Sequence, residues 1–265
     1  MQAHHLFDLS SYRHASLFPT SEPVWSALQN LKIYMNTYDY TLKIPPEIKT
    51  GSLLADPLVF FEDRLQPAAA FSIDYGDTTK GRLCVKKNGQ LCDGASVIMA
   101  GAILIGSRIE IGRGTLIEGG ATIKAPAILG DQTEVRQGAY LRGYCLVGDR
   151  CVVGHCTEVK HTIFLDDAKA GHFAYLGDSI LGNNANLGAG TKFANLKFTS
   201  ENITFTKDSH FFDTGMRKFG AILGDHAQTG CNAVTNPGTI LGKRAVLMPN
   251  TTALPGYHQD NDLIR

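Results

Sequence analysis

Four short stretches of this chain concentrate the residue types that move protons and hold polar ligands. They are Glu158-Val159-Lys160-His161, the run from Lys169 to Asp178 with His172 and Tyr175, the run from Asn183 to Thr191 with Asn186, and Ala194-Asn195. An ordinary imidazole, with a pKa of about 6.5, is largely neutral near pH 7 and can take a proton from an attacking nucleophile. Tyr and Asn orient a polar ligand through hydroxyl and amide groups, and Lys and Arg answer an anion. Lys160, His172 and Asn186 follow one another at intervals of 12 and 14 residues. That spacing suits neither one helix face nor one strand, so the element that gathers them must be read from a longer pattern.

The pattern is a period of six. Aliphatic residues stand at Ile105, Ile111, Ile117, Ile123, Leu129, Val135, Leu141, Val147, Val153, Val159 and Leu165. A hexad repeat of this length predicts a parallel β-helix, in which each hexad supplies one short strand and one corner. The phase is lost between Leu165 and Leu181, then resumes at Leu181 and Leu187 and again at Leu223, Leu241 and Leu247. In a coil of about 18 residues, Lys160, His172 and Asn186 fall on neighbouring faces or one rung apart, near one edge of the prism. Apolar hexads need only burial to be stable, so chemistry is expected where the pattern breaks.

Composition narrows the function classes. The 265 residues carry 25 Lys+Arg and 25 Asp+Glu, so no global field draws nucleic acid or an anionic membrane surface. Hydrophobic residues make up 43% of the chain, which argues for a folded domain. No apolar run approaches the roughly 18 residues of a membrane span, and the amino end lacks a signal-peptide core, so the expected location is the cytoplasm. Six scattered cysteines without a CxxC pair read as small apolar residues in a reducing compartment. A zinc site of the γ-type carbonic anhydrase kind needs a His-x4-His pair; His155 and His161 stand six apart, and no metal is expected.

Residues 1–92 lack the hexad and are expected to form a small α/β segment capping the solenoid. Ser21-Glu22-Pro23 reads as a helix start, and Val24, Trp25, Leu28, Leu31 and Ile33 as an amphipathic helix ending near Tyr38. Residues 93–265 form the β-helix domain, interrupted by an excursion over 195–219. Its Ile203, Phe205, Phe211 and Phe212 are too apolar for a free loop and are expected to cover a neighbouring coil or subunit.

With these residues in order, the chain resembles the acetyltransferase half of the bifunctional enzymes that make UDP-N-acetylglucosamine, and more narrowly archaeal-type sugar-phosphate nucleotidylyltransferase/acetyltransferases. The shared pattern is Glu158-Val159-Lys160, then Gly171-His172-Phe173-Ala174-Tyr175-Leu176-Gly177-Asp178, then Asn184-Ala185-Asn186-Leu187-Gly188-Ala189-Gly190-Thr191, then Asn195. It covers roughly residues 95–254. The resemblance implies a left-handed parallel β-helix of seven to eight coils, a homotrimer, and acetyl transfer from acetyl-CoA to the 2-amino group of an amino-sugar 1-phosphate. It implies His172 as base, with Arg142, Glu158, Lys160, Tyr175 and Asn186 on the sugar phosphate. It places Asn195 near the thioester and Ala189 and Cys231 as small positions facing CoA. Lys243 and Arg244 are candidates for the CoA phosphates.

Taken singly, each residue has a plainer structural reading. His172 could be a histidine satisfied within the fold, Tyr175 could pack on the next coil, and Asn186 could be a corner rung. Lys160, Arg142, Lys243 and Arg244 could be solvated surface charges. Two departures from the family pattern stand out. The lysines usual after the asparagine are replaced by Glu201 and Thr204, with Lys197 and Lys207 displaced. The nucleotidylyltransferase half has no counterpart in residues 1–92, where no Gly-rich phosphate-binding loop occurs. A non-catalytic sugar-phosphate binder or structural relative is therefore the alternative reading.

Overall fold

The computed structural model describes residues 1–42, 48, 50–207 and 210–265. Strands of two to four residues stack in three parallel sheets that form the sides of a prism. Face 1 begins with Ser96–Ile98 and face 2 with Ile103–Ile105, while face 3 begins with Ile109–Ile111. Faces 2 and 3 each contain eight strands, and face 1 continues to Leu263–Ile264. The chain therefore completes eight coils and starts a ninth.

The six-residue period becomes an axial core. Ile117, Ile123, Leu129, Val135, Leu141, Val147, Val153 and Val159 all point inward at 1% exposure or less. Two members of the series do not. Leu104 and Phe164 occupy the axial places expected for Ile105 and Leu165. The cause is a change in corner length. Leu141 pairs with Val159 on face 2, 18 residues on, but Cys145 pairs with Thr162 on face 3, only 17 on. The missing residue lies between Lys160 and Thr162, where His161 alone turns the corner at φ 49 in place of Gly143 and Tyr144. The apparent loss of phase is thus a shorter corner; the stack of coils runs on unbroken.

At the corner from face 3 to face 1, carboxylates hold the coils in register. The backbone N–H of Arg113 donates to Asp131, that of Asp131 to Asp149, and that of Asp149 to Asp166, at 2.8–2.9 Å.

The outside of face 3 is apolar. Ile128, Leu146, Ile163, Ile180, Ile222 and Ile240 form a column buried beneath residues of the amino-terminal segment and the excursion. Helix α1, Ser26–Thr37, contributes Leu28, Leu31 and Met35, all fully buried. It begins later than Ser21-Glu22-Pro23 suggested, because Pro23 sits in a preceding turn whose carbonyl accepts the Ser26 N–H at 2.9 Å. Trp25, just before α1, meets Phe205 edge-on at 5.5 Å between ring centroids. The excursion folds as a hairpin, Thr204–Lys207 with His210–Asp213; residues 208 and 209 lie outside the described residues. Ile203 and Phe205 are buried and Phe212 is half-buried, whereas Phe211 is 70% exposed.

Residues 50–92 hold the first coils. Leu58–Phe61 pairs antiparallel with Ser96–Ile98 and with Arg64–Pro67, extending face 1 past its first coil. Ser72–Tyr75, Leu83–Lys87 and Gln90–Leu91 form a small sheet, from which Ile73, Leu83 and Val85 pack with Val97 and Leu116 on the outside of face 1. Residues 1–40 run along face 3, whereas Leu42 joins the axial core cluster with Leu54 and Phe60. Among the described residues no helix is long and apolar enough to cross a membrane.

Candidate functional site

Face 2 is built differently on its outside. Strand alternation turns Leu141, Val159, Leu176 and Phe193 inward and leaves their neighbours pointing out. Register stacks Tyr140, Glu158, Tyr175 and Lys192 in one outward column. Arg142, Lys160 and Gly177 follow in the next, nearer the corner between faces 2 and 3. Five of the residues singled out from the sequence therefore meet on one surface: Arg142, Glu158, Lys160, Tyr175 and, at the start of the excursion, Asn195.

Their contacts form two connected groups. Arg142 donates to Glu158 at 2.6 Å. Both side chains are about two-fifths exposed, so water screens the pair and leaves both groups open to exchange partners. Asn195 donates to Asp178 at 2.6 Å, and the Tyr175 hydroxyl lies 3.5 Å from Asn195 Oδ1. Lys160 Nζ is 3.7 Å from Asp178, and His161 Nδ1 is 2.9 Å from it. Burial pushes the Asp178 pKa up, but hydrogen bonds from His161 and Asn195 and the charges of His161 and Lys160 outweigh it. The carboxyl is held below its ordinary value and is ionised at neutral pH. Burial, then the negative charges of Glu158 and Asp178, push the Tyr175 phenol up, so it serves as a hydroxyl.

Gly177 is required here by close approach. A Cβ built at this position would lie 2.5 Å from Asn195 Nδ2 and 2.8 Å from the Tyr175 hydroxyl. Any side chain would push apart the two groups that meet over it.

His172 stands at the corner between faces 1 and 2, ending the strand Lys169–His172. Its side chain is exposed, with Phe173 beside it at 53% exposure. Among the described residues nothing hydrogen-bonds the ring. Peptide bonds ladder this corner: Phe173 N–H donates to His155 O, Gly190 N–H to His172 O, Asn232 N–H to Ala189 O, and Asn250 N–H to Cys231 O. His172, Ala189 and Cys231 therefore stack in one column over three successive coils, with two small side chains above the imidazole. A Cβ built on Gly171 would meet nothing within 4 Å, so the strand is open beside His172.

The remaining candidates are dispersed. Asn186 lies on face 1, paired with Lys169 and Gln228, around the corner from Tyr175. Lys243 and Arg244 lie at the third corner, between faces 3 and 1, across face 1 from Cys231. Lys243 Nζ donates to His4 O at 3.3 Å, against the amino-terminal segment. Within one chain they do not join the His172 column. The displaced lysines of the excursion are engaged elsewhere: Lys197 donates to Asn202 O and Thr204, and Lys207 lies 4.6 Å over the Tyr257 ring. Among the described residues no three His, Cys, Asp or Glu side chains converge as metal ligands.

Sequence reading assigned no role to His161, Asp178, Lys32, Arg217 or Lys218. These five, with Arg142 and Lys160, line a crevice of about 560 Å³ at the corner between faces 2 and 3. A 17-residue coil would have put His161 and Asp178 on one corner, since they stand 17 residues apart. Nothing in the local sequence signals Lys32, whose place depends on how α1 packs.

Residues 124–247 match the family described as the GMPPB C-terminal domain. A bifunctional sugar-1-phosphate nucleotidylyltransferase/acetyltransferase from Sulfurisphaera tokodaii is 35% identical over 96 residues, 36% of this chain and 24% of that protein. The bifunctional protein GlmU of Methanococcus vannielii is 35% identical over 97 residues, 37% of this chain and 23% of its own length. GlmU of Wigglesworthia glossinidia brevipalpis is 27% identical over 165 residues, 58% of this chain and 33% of that one. The chain thus spans about a quarter to a third of the curated relatives it matches. Among solved structures, the UDP-N-acetylglucosamine acyltransferase of Francisella novicida covers 59% of this chain and 58% of its own at 14% identity, with a TM-score of 0.38. That likeness is too distant to support any argument about the site.

Proposed function

We propose that this chain is an acyltransferase that moves an acetyl group from acetyl-CoA to the amine of a hexosamine 1-phosphate, of gluco or galacto configuration. The observation that carries the reading is the joint arrangement of face 2. An exposed imidazole stands at one edge and a cationic pair, Arg142 and Lys160, at the other, with Tyr175 between them and Asn195 one position past the pair, reaching back toward the Tyr175 hydroxyl. The local likeness to bifunctional nucleotidylyltransferase/acetyltransferases supports it.

The chemistry follows from these groups. Arg142 exchanges Glu158 for the sugar phosphate, and Lys160 adds a second cation. Tyr175 and Asn195 orient the sugar so that its amine faces the corner. The free amine attacks the thioester carbon, forming the C–N bond, and its proton passes to His172. Collapse of the tetrahedral adduct breaks the C–S bond, and the imidazolium returns the proton to the departing thiolate. Ala189 and Cys231 leave the corner backbone free for pantetheine. The acetyl group passes directly to the acceptor.

Asn186, on face 1, reaches this site best from an adjacent molecule. Exposed apolar side chains near face 2 and its corners (Tyr140, Phe173, Leu196 and a fully exposed Phe198) favour coverage by a second copy. We therefore propose a homotrimer with sites shared between prisms; light scattering that returned a monomer would remove the shared-site part.

A second reading has support of its own. Among the described residues His172 has no orienting partner, and Lys197 and Lys207 are committed elsewhere, as a sugar-phosphate binder without transfer would allow. Thiol release from acetyl-CoA with glucosamine 1-phosphate and galactosamine 1-phosphate separates the two. Release that His172→Ala abolishes supports transfer. Binding without release from either acceptor supports the binder.

A further inference from the structure

The crevice at the corner between faces 2 and 3 carries more positive charge than one phosphate requires. Its wall contains five cations, Lys32, Arg142, Lys160, Arg217 and Lys218, against a single carboxylate, Asp178. They come from separate parts of the chain: α1, the third and fourth coils, and the closing limb of the excursion. They also differ in what they already hold. Arg142 is paired with Glu158, and Lys160 lies 3.7 Å from Asp178. Among the described residues, Lys32, Arg217 and Lys218 make no ion pair. Lys32 lies over the Tyr144 ring at 5.6 Å.

Two buried polar atoms in this wall have no hydrogen-bond partner among the described residues. They are Nε2 of His161 and Nη1 of Arg217. His161 is only 8% exposed, and its Nδ1 is fixed on Asp178, so the ring cannot turn to satisfy the second nitrogen without losing the first bond. An unpartnered guanidinium N–H is costly inside a protein and has no acceptor capacity of its own. A ligand that brings acceptor oxygens would relieve it. At about 560 Å³ the crevice is of the size that takes a small-molecule head group.

We infer that this crevice binds a pyrophosphate group, so that the bound substrate carries two linked phosphates. One phosphate lies on the Arg142–Lys160 bank and the other on the Lys32–Arg217–Lys218 bank, where it meets the Arg217 N–H. This rests on the acetyl transfer proposed above and extends the acceptors of that site to an amino sugar carrying two linked phosphates, as in a nucleoside-diphosphate sugar. The pyrophosphate of CoA itself is the other source of the same chemistry.

Calorimetric titration with inorganic pyrophosphate and inorganic phosphate, without acetyl-CoA, tests the site independently of transfer. Pyrophosphate is expected to bind at least about tenfold tighter than phosphate. Arg217→Gln is expected to weaken pyrophosphate roughly ten- to hundredfold, as the loss of a charge-assisted bond implies, while leaving phosphate little changed. Because Arg217 Nη1 has no hydrogen-bond partner among the described residues, Arg217→Gln should melt at or above the wild-type temperature; a large fall would mark it as structural and overturn the ligand role. Lys218→Ala, on an exposed side chain, provides a second variant with the same expected direction. Displacement of pyrophosphate by UDP but not by CoA assigns the crevice to the acceptor, and displacement by CoA alone overturns that assignment. Equal binding of the two anions, or no effect of either variant, overturns the site itself. Failure of acetyl transfer with intact pyrophosphate binding would count against the proposed reaction and not against the crevice.

Discussion

Faces 2 and 3 of the prism share one backbone plan and differ almost entirely in what stands on the outside. Outward positions on face 3 are Ile or Leu in six successive coils and are roofed by α1 and the excursion. The corresponding positions on face 2 are Tyr, Glu, Tyr and Lys, with Arg142 and Lys160 beside them, and keep their contact with water. A β-helix core asks only for one aliphatic residue per hexad, so the outward positions are free to differ. One side holds the molecule's own appendages, and the other stays open to solvent, where we propose that ligands bind.

If that division is correct, the largest stability effects belong to the roofed side. Trp25→Ala removes a ring that is 4% exposed and packs edge-on against the stacked pair Phe205 and Phe212. Denaturant unfolding should show a loss of about 3–5 kcal/mol, the usual cost of deleting a buried aromatic ring. Inorganic phosphate binding at Arg142 and Lys160, per folded molecule, should survive, whereas pyrophosphate binding, which also draws on Lys32, Arg217 and Lys218 of the roof, should weaken; loss of phosphate binding would mean that face 2 depends on the roof.

Acid should also act first on the roofed side. His14 is buried among residues of the roof, with its ring 2.7 Å from the Tyr34 hydroxyl. Burial, then the charge of Arg13, push its pKa down to about 4. Between that value and the ordinary 6.5, the unfolded chain binds a proton that the folded chain refuses. Stability therefore falls as pH drops through this window, by up to about 3 kcal/mol. His14→Gln should flatten stability measured across this range; an unchanged slope would assign the acid sensitivity to other groups.

On the open side the effects on folding are smaller and local. Gly177→Ala should cost about 1–3 kcal/mol of stability by crowding Asn195 and Tyr175, and should weaken sugar-phosphate binding at the same time. Tyr140→Ala, at an exposed position, should change the thermal stability of the isolated chain by less than about 0.5 kcal/mol.

The sequence made the coil architecture legible because the core condition is periodic and local. Eleven aliphatic positions at intervals of six pointed to three faces, and nine of them face the axis. Ile105 and Leu165 miss it for a reason that period alone hides: corners differ in length by one residue, and each such change shifts the phase downstream. The residues on face 2 were legible through an ordered motif. His161 and Asp178 were not, since their meeting depends on the 17-residue coil. Lys32 and Arg217 reach the crevice through packing on face 3, a contact between distant segments that no local pattern records. Lys243 and Arg244 illustrate the converse, a basic pair that the family resemblance made candidates for the CoA phosphates and that the third corner places beside the amino-terminal segment.

The central claim is that face 2 and its corner transfer an acetyl group directly to an amine on a phosphate-bearing sugar. Isotope-labelled acetyl-CoA followed by mass spectrometry tests it most directly. The account predicts label on the nitrogen of the phosphorylated hexosamine, none retained on the protein, and a rate that falls roughly 10²–10⁴-fold in His172→Ala. Label held on an exposed cysteine such as Cys231, or no labelled sugar from any phosphorylated amino sugar, would contradict it.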